Sequence, residues 1–131
     1  MIDKDSMYNT PPCWCIYILG LVLDWLEEQG GLPGMEAIKH NKAQMLYDVI
    51  DSSRLFTCAV EKDSRSDMNV VFRTGSDDLD AKFVKESVEA GFTNLKGHRS
   101  VGGMRASIYN AMPVEGVEKL CDFIKKFDKD N

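Results

Sequence analysis

The stretch Cys13 to Leu23 is apolar apart from Gly20 and runs straight into Asp24. It falls short of the ~20 residues that cross a bilayer, so it predicts a largely buried helix and no membrane span. Asn9-Thr10-Pro11-Pro12 stands ahead of it, where Thr10 suits an N-cap and Pro11 the first helical position, whose N–H would be unpaired anyway. Burying such a helix needs a core. The chain has 131 residues, 44% of them hydrophobic, which is the scale of one folded domain spanning 1–131. The N-terminal MIDKDSMYNT lacks a basic region leading into an apolar one and lacks a small-residue cleavage site, so no secretory signal is expected and the address is cytoplasmic.

Further helices follow from capping signals and periodicity. Gly30-Gly31 ends the first, and Pro33 opens a second with Met35, Ile38, Met45, Leu46 and Val49 on one face. Leu55–Val60 and Met68–Arg73 have the β-branched and aromatic content of strands, separated by a charged segment at 61–67. Ser76 caps a third helix with the stripe Leu79, Phe83, Val84 and Val88, which Gly91 terminates. Residues 94–110 read as two strands about a Gly102-Gly103 turn. A last helix starts near Pro113 with the stripe Val117, Leu120, Cys121, Ile124 and Phe127; its acids come early and its lysines late, as the helix dipole favours. The pattern predicts an α+β, two-layer domain, a small and mainly antiparallel sheet covered by helices.

Sixteen Lys plus Arg against 21 Asp plus Glu leave a net charge of −5, which opposes a broad grip on nucleic acid or an anionic membrane. Cys13, Cys15, Cys58 and Cys121 show neither C-x-x-C pairs nor histidines at ligand spacing. Against a disulfide or a zinc site, the expectation is core thiols and no metal.

One segment departs from the acidic background. Between Asn94 and Asn110 stand Lys96, Arg99 and Arg105 with no acid, so this piece carries +3 and the rest of the chain −8. With His98 beside Arg99, two glycines that let backbone approach a ligand and the forked guanidinium of Arg105, it suits a small multiply charged anion. The competing reading pairs Arg99 and Arg105 with surface carboxylates and leaves His98 an ordinary loop residue. Asn9-Thr10 at a helix N-terminus is a second anion candidate, beside the simpler reading of Thr10 as a cap alone.

Ser6-Met-Tyr-Asn-Thr-Pro-Pro12, Arg65-Ser-Asp-Met-Asn-Val70 and, above all, Leu95-Lys-Gly-His-Arg-Ser-Val-Gly-Gly-Met-Arg-Ala-Ser-Ile-Tyr-Asn-Ala-Met-Pro113 resemble the C-terminal part of phosphoserine aminotransferases, from about Ser6 to Phe127. That family uses pyridoxal phosphate to move an amino group between glutamate and 3-phosphohydroxypyruvate, forming phosphoserine on the route to serine. The resemblance implies that Asn9 and Thr10 reach the cofactor phosphate of the neighbouring subunit. It implies that Arg105 holds the substrate α-carboxylate, and that His98 and Arg99 serve its phosphate or distal carboxylate across a dimer interface.

Family members are far longer. Their large domain carries the Schiff-base lysine, the aromatic stacked on the ring and the aspartate facing the pyridine nitrogen, none of which has a counterpart here. No catalytic residue is therefore assigned to this chain, and binding of the cofactor by the chain alone is not expected. Val71 stands where the family often has proline. The expectation is the small domain of such an enzyme, inactive by itself and prone to dimerise or self-associate. The alternative is a non-catalytic binding or regulatory module that pairs with a full-length subunit.

Overall fold

The computed structural model describes residues 2–5 and 7–131; Ser6, which opens the first family-like motif, lies outside them. The chain divides into two compact units, residues 1–36 and 37–131. The first contains α1 (Cys13–Glu28) and the opening of α2 (Gly31–Ser52). The second contains the rest of α2, then β1 (Asn69–Phe72), α3 (Asp77–Glu89), β2 (Met104–Ser107) and α4 (Val114–Asp130). Single 3₁₀ turns lie at Ile2–Lys4 and Lys62–Ser64.

Two expectations about the first helix are corrected. It starts at Cys13, with Pro12 as N-cap and no side-chain capping bond, so Thr10 is not a cap and Pro11 is not helical. A residue that precedes proline is driven out of the helical region, and Pro11 precedes Pro12. Nor is α1 buried: none of its residues is, and Trp14 is 71% exposed. Apolar residues occupy all sides of this helix, so no single stripe directs it into a core.

The second unit has one core. α2 supplies Ala43, Leu46, Tyr47 and Ile50; α4 supplies Val117, Leu120, Cys121, Ile124 and Phe127, the whole stripe read from its periodicity. At its centre Phe83 packs on Phe56, Phe72, Phe123 and Phe127 with ring centroids 5.1 to 5.8 Å apart, mostly edge to face. Val88, expected in the α3 stripe, is exposed, and Ser87 is buried in its place, its hydroxyl bonded to Val84 O. Of the four cysteines only Cys121 is a core thiol; Cys13 and Cys15 are exposed because they ride on α1, and Cys58 is half-buried.

β1 and β2 pair antiparallel, with Val71 opposite Arg105 and Phe72 opposite Met104. Each of the other two expected strands is reduced to a single bridge, Thr57 to Arg73 on one side and Lys96 to Met104 on the other. Side chains explain the first loss. The N–H groups of Leu55 and Phe56 donate to Ser53 Oγ, and Leu55 N–H also donates to Asp128 Oδ1, so these backbone donors are not free for a ladder.

Two polar anchors hold the loops. Lys42 is fully buried, and its Nζ donates to the carbonyls of Tyr109 (2.8 Å), Met112 (2.9 Å) and Asn110 (3.4 Å), which ties the approach to α4 onto α2. Arg65, in the second family-like motif, forms a bidentate pair with Asp51 at 2.7 and 2.8 Å and lies 4.5 Å over the Tyr47 ring. Those hydrogen bonds hold the Asp51 carboxyl below its ordinary range. The motif therefore fixes a loop, with Ser66 Oγ accepting from the N–H groups of Met68 and Asn69.

Candidate functional site

The pleat of the two strands divides their residues. Val70, Phe72, Met104 and Ala106 enter the core, so Val71 and Arg105 share the opposite, outward face. Arg105 is half-buried there, and among the described residues no carboxylate lies within ion-pair distance of it. Its Nε is buried with no hydrogen-bond partner. The alternative of Arg105 locked to an internal acid is thereby excluded among the described residues. Arg105 borders a recess of about 240 Å³ together with Thr57, Val71, Arg73, His98 and Val101, and no acid lines it.

Glycines shape the loop that carries His98 and Arg99. A Cβ on Gly97 would meet Gly102 O at 2.1 Å, and Gly103, at φ +63°, already sits where a Cβ would meet Phe72 O at 2.8 Å. Only residues without side chains let the two limbs and β1 approach so closely. The reversal itself falls earlier than expected: His98 O accepts from the N–H groups of Val101 (2.9 Å) and Gly102 (2.8 Å), so the turn is centred on Arg99-Ser100. Ser100 Oγ lies 2.7 Å from His98 Nδ1, and Ser100 N–H donates to the same nitrogen at 3.3 Å. A neutral ring so held carries its proton on Nε2, away from the turn.

Arg99 is exposed and has no ion pair among the described residues. With His98, Lys96, Asp77 and Asp80 it borders a second recess of about 450 Å³. Asp80 is held there through Oδ1, which accepts from Thr74 N–H and the Thr74 hydroxyl, each at 2.7 Å, while its Oδ2 is buried with no hydrogen-bond partner among the described residues. His98 thus stands between two openings, sharing one with Arg105 and the other with Arg99. Asn9 and Thr10 belong to the first unit, while His98, Arg99 and Arg105 belong to the second. Both Asn9 and Thr10 are exposed, and among the described residues they make no side-chain hydrogen bond. The donor set goes no further toward a pyridoxal group: the one buried lysine, Lys42, is committed to three carbonyls, and the other lysines are exposed or half-exposed.

The Aminotransferase class-V family model matches residues 1–120. The chain belongs to that family. It is 58% identical over 132 aligned residues to the phosphoserine aminotransferase of Lactococcus lactis subsp. cremoris, which covers 100% of this chain and 36% of the relative. The structure of phosphoserine aminotransferase from Bacillus circulans subsp. alkalophilus superposes with a TM-score of 0.94 at 49% identity, covering 98% of this chain and 36% of that one. A PLP-bound phosphoserine aminotransferase from Trichomonas vaginalis gives 0.87 at 41% identity over 95% of this chain and 36% of that one. The chain therefore spans about a third of the length of these relatives. Among the described residues no helix is long and apolar enough to cross a membrane, and no cluster of three metal-ligating side chains occurs.

Sequence reasoning had singled out Arg105, His98 and Arg99, and missed Arg73 and Thr57, which border the Arg105 recess. A signal for Arg73 was present, since it stands two residues beyond Val71 in the same extended segment and so on the same face.

Proposed function

We propose that this chain is the C-terminal small-domain part of a cytoplasmic phosphoserine aminotransferase and supplies the anion-binding side chains of its active site. The observation that carries the reading is the Arg105 guanidinium, half-buried, unpaired and facing an acid-free recess. A planar fork is suited to a carboxylate, and Arg105 takes the substrate α-carboxylate in two parallel hydrogen bonds. His98 and Arg99, on the adjoining turn, hold the phosphate or distal carboxylate, acting across the interface of a homodimer. Asn9 and Thr10 reach the phosphate of pyridoxal phosphate in the neighbouring subunit, one domain of 1–131 thus serving two sites. The cofactor, when bound, supplies the carbonyl that carries the amino group between glutamate and 3-phosphohydroxypyruvate. This chain's residues bind and orient the substrate around it and perform none of the proton transfers.

Catalysis on this reading needs the large domain. A chimera in which this chain replaces the matching segment of the Lactococcus lactis relative is expected to transaminate, and Arg105→Lys in it to lower kcat/KM about 100-fold, mostly through KM for the substrate. Full activity of the Arg105→Lys chimera would overturn the assignment. The isolated chain is expected to bind pyridoxal phosphate more weakly than about 100 μM, since a partial phosphate site gives little affinity.

The exposed apolar α1 favours a second reading, a non-catalytic module that pairs with a full-length subunit. Co-purification of the chain with an intact enzyme, without gain of activity, would support it over the first.

A further inference from the structure

Arg73 is not accounted for by that reading, and its position is the most informative remaining feature. It lies on the outward face two residues beyond Val71, and Val71 stands opposite Arg105, which makes Arg73 and Arg105 diagonal neighbours across the strand pair. Such pairs are about 7–8 Å apart, within reach of long side chains. On one side Arg73 is bridged to Thr57, with N–H···O bonds of 3.0 and 2.8 Å in the two directions. On the other lies Gly103, where a Cβ would meet Arg73 Cβ at 3.0 Å. The backbone at Arg73 is thus pinned, and the residue beside it across the strand pair has no side chain.

Charge makes this arrangement unusual. Arg73, Arg105 and His98 border one recess that contains no acid. Two guanidinium groups on diagonal positions of one face repel each other, and an anion lying between them relieves that repulsion. Among the described residues the one carboxylate paired with Arg73 is Asp77, at 3.7 Å and 97% exposed, a surface pair of the kind that contributes little and exchanges readily.

We propose that Arg73 is a second anion-binding residue of the Arg105 recess, and that the two guanidiniums together select small ligands of charge −2 or more over monoanions. Arg105 supplies the fork for one oxygen pair. Arg73, released from Asp77, turns over Gly103 to take the remaining charge. The proposal rests on Arg105 being a ligand-binding residue, and the following test separates failure of the one from failure of the other.

The complete chain is titrated at constant ionic strength with sulfate and, separately, with acetate, following the arginine Nε–Hε signals by NMR. Sulfate is expected to bind about tenfold more tightly than acetate, the effect of one added charge-assisted contact. Arg73→Gln should remove that preference and leave acetate binding within about twofold of the parent. Asp77→Asn, at an almost fully exposed position, should leave sulfate binding within about twofold of the parent, because so exposed a pair holds Arg73 only weakly. Arg105→Gln should weaken both anions. Equal sulfate affinity in the parent and Arg73→Gln, or no sulfate binding by the parent, overturns the proposal. If Arg105→Gln still weakens both anions while Arg73→Gln changes nothing, the role of Arg105 stands and only that of Arg73 falls. If neither substitution has an effect, both fall.

Discussion

α1 and α4 are helices of nearly equal length, 16 and 17 residues, in the same chain, and they end in opposite environments. α1 is the more apolar and has no buried residue, whereas α4 is rich in charge and buries five side chains. What separates them is arrangement. The apolar residues of α4 recur on one stripe, so a single orientation removes them from water and leaves its acids and lysines solvated. Those of α1 surround the axis, and no orientation on a single surface covers them all. In a chain that spans about a third of its relatives' length, such a helix is the element to expect at a surface made for other protein.

Core truncation sharpens this contrast most. Phe127 is 2% exposed and packs on the rings of Phe56 and Phe83, and Phe127→Ala is expected to destabilise the second unit by about 4 kcal/mol in urea unfolding. Leu19→Ala on α1, where Leu19 is 56% exposed, should stay within about 0.5 kcal/mol. Comparable losses at the two positions would break the comparison.

Next comes the tie that brings α4 to its place. Lys42→Met keeps much of the side-chain volume but leaves the carbonyls of Tyr109, Asn110 and Met112 without their buried donor, a loss of about 3 kcal/mol. An unchanged urea midpoint would show that the loop before α4 is held by packing alone.

Asp128 on α4 gives a smaller and pH-dependent effect. Burial acts to raise its carboxyl, but the hydrogen bonds from Ser53 and from the N–H groups of Leu55 and Arg54, with the Arg54 guanidinium nearby, outweigh it and hold the group below its ordinary value of 3.8. The stabilisation is therefore complete above the unfolded-state value and is lost as the pH falls through the lower folded-state one. Asp128→Asn should cost about 1.5 kcal/mol at neutral pH, and its urea midpoint should fall less steeply than the parent's below pH 3.8. Parallel pH profiles would remove Asp128 from the account.

The smallest effect on stability belongs to α1 again. Leu19→Glu with Leu23→Glu, both on exposed positions, should abolish self-association in sedimentation while shifting the urea midpoint of the second unit negligibly. A parent chain that sediments as a monomer at high concentration would show that α1 needs no partner.

Local signals determined a large part of this protein. The α4 stripe, the Ser76 cap and the stop at Gly91 depend on near neighbours in sequence, and each was legible from residue type and spacing. Periodicity also assigned α1 as a helix, but burial depends on what lies beyond the helix, which no period records. The same limit applies to the first flanking strand, where Asp128, more than 70 residues from Leu55, takes with Ser53 the donors that a ladder would use. Arg105 was recognisable alone. Its placement beside Arg73, across an antiparallel register that sets Val71 against it, was decided only when residues more than 30 positions apart were paired, because register is a property of two strands and neither strand carries it by itself.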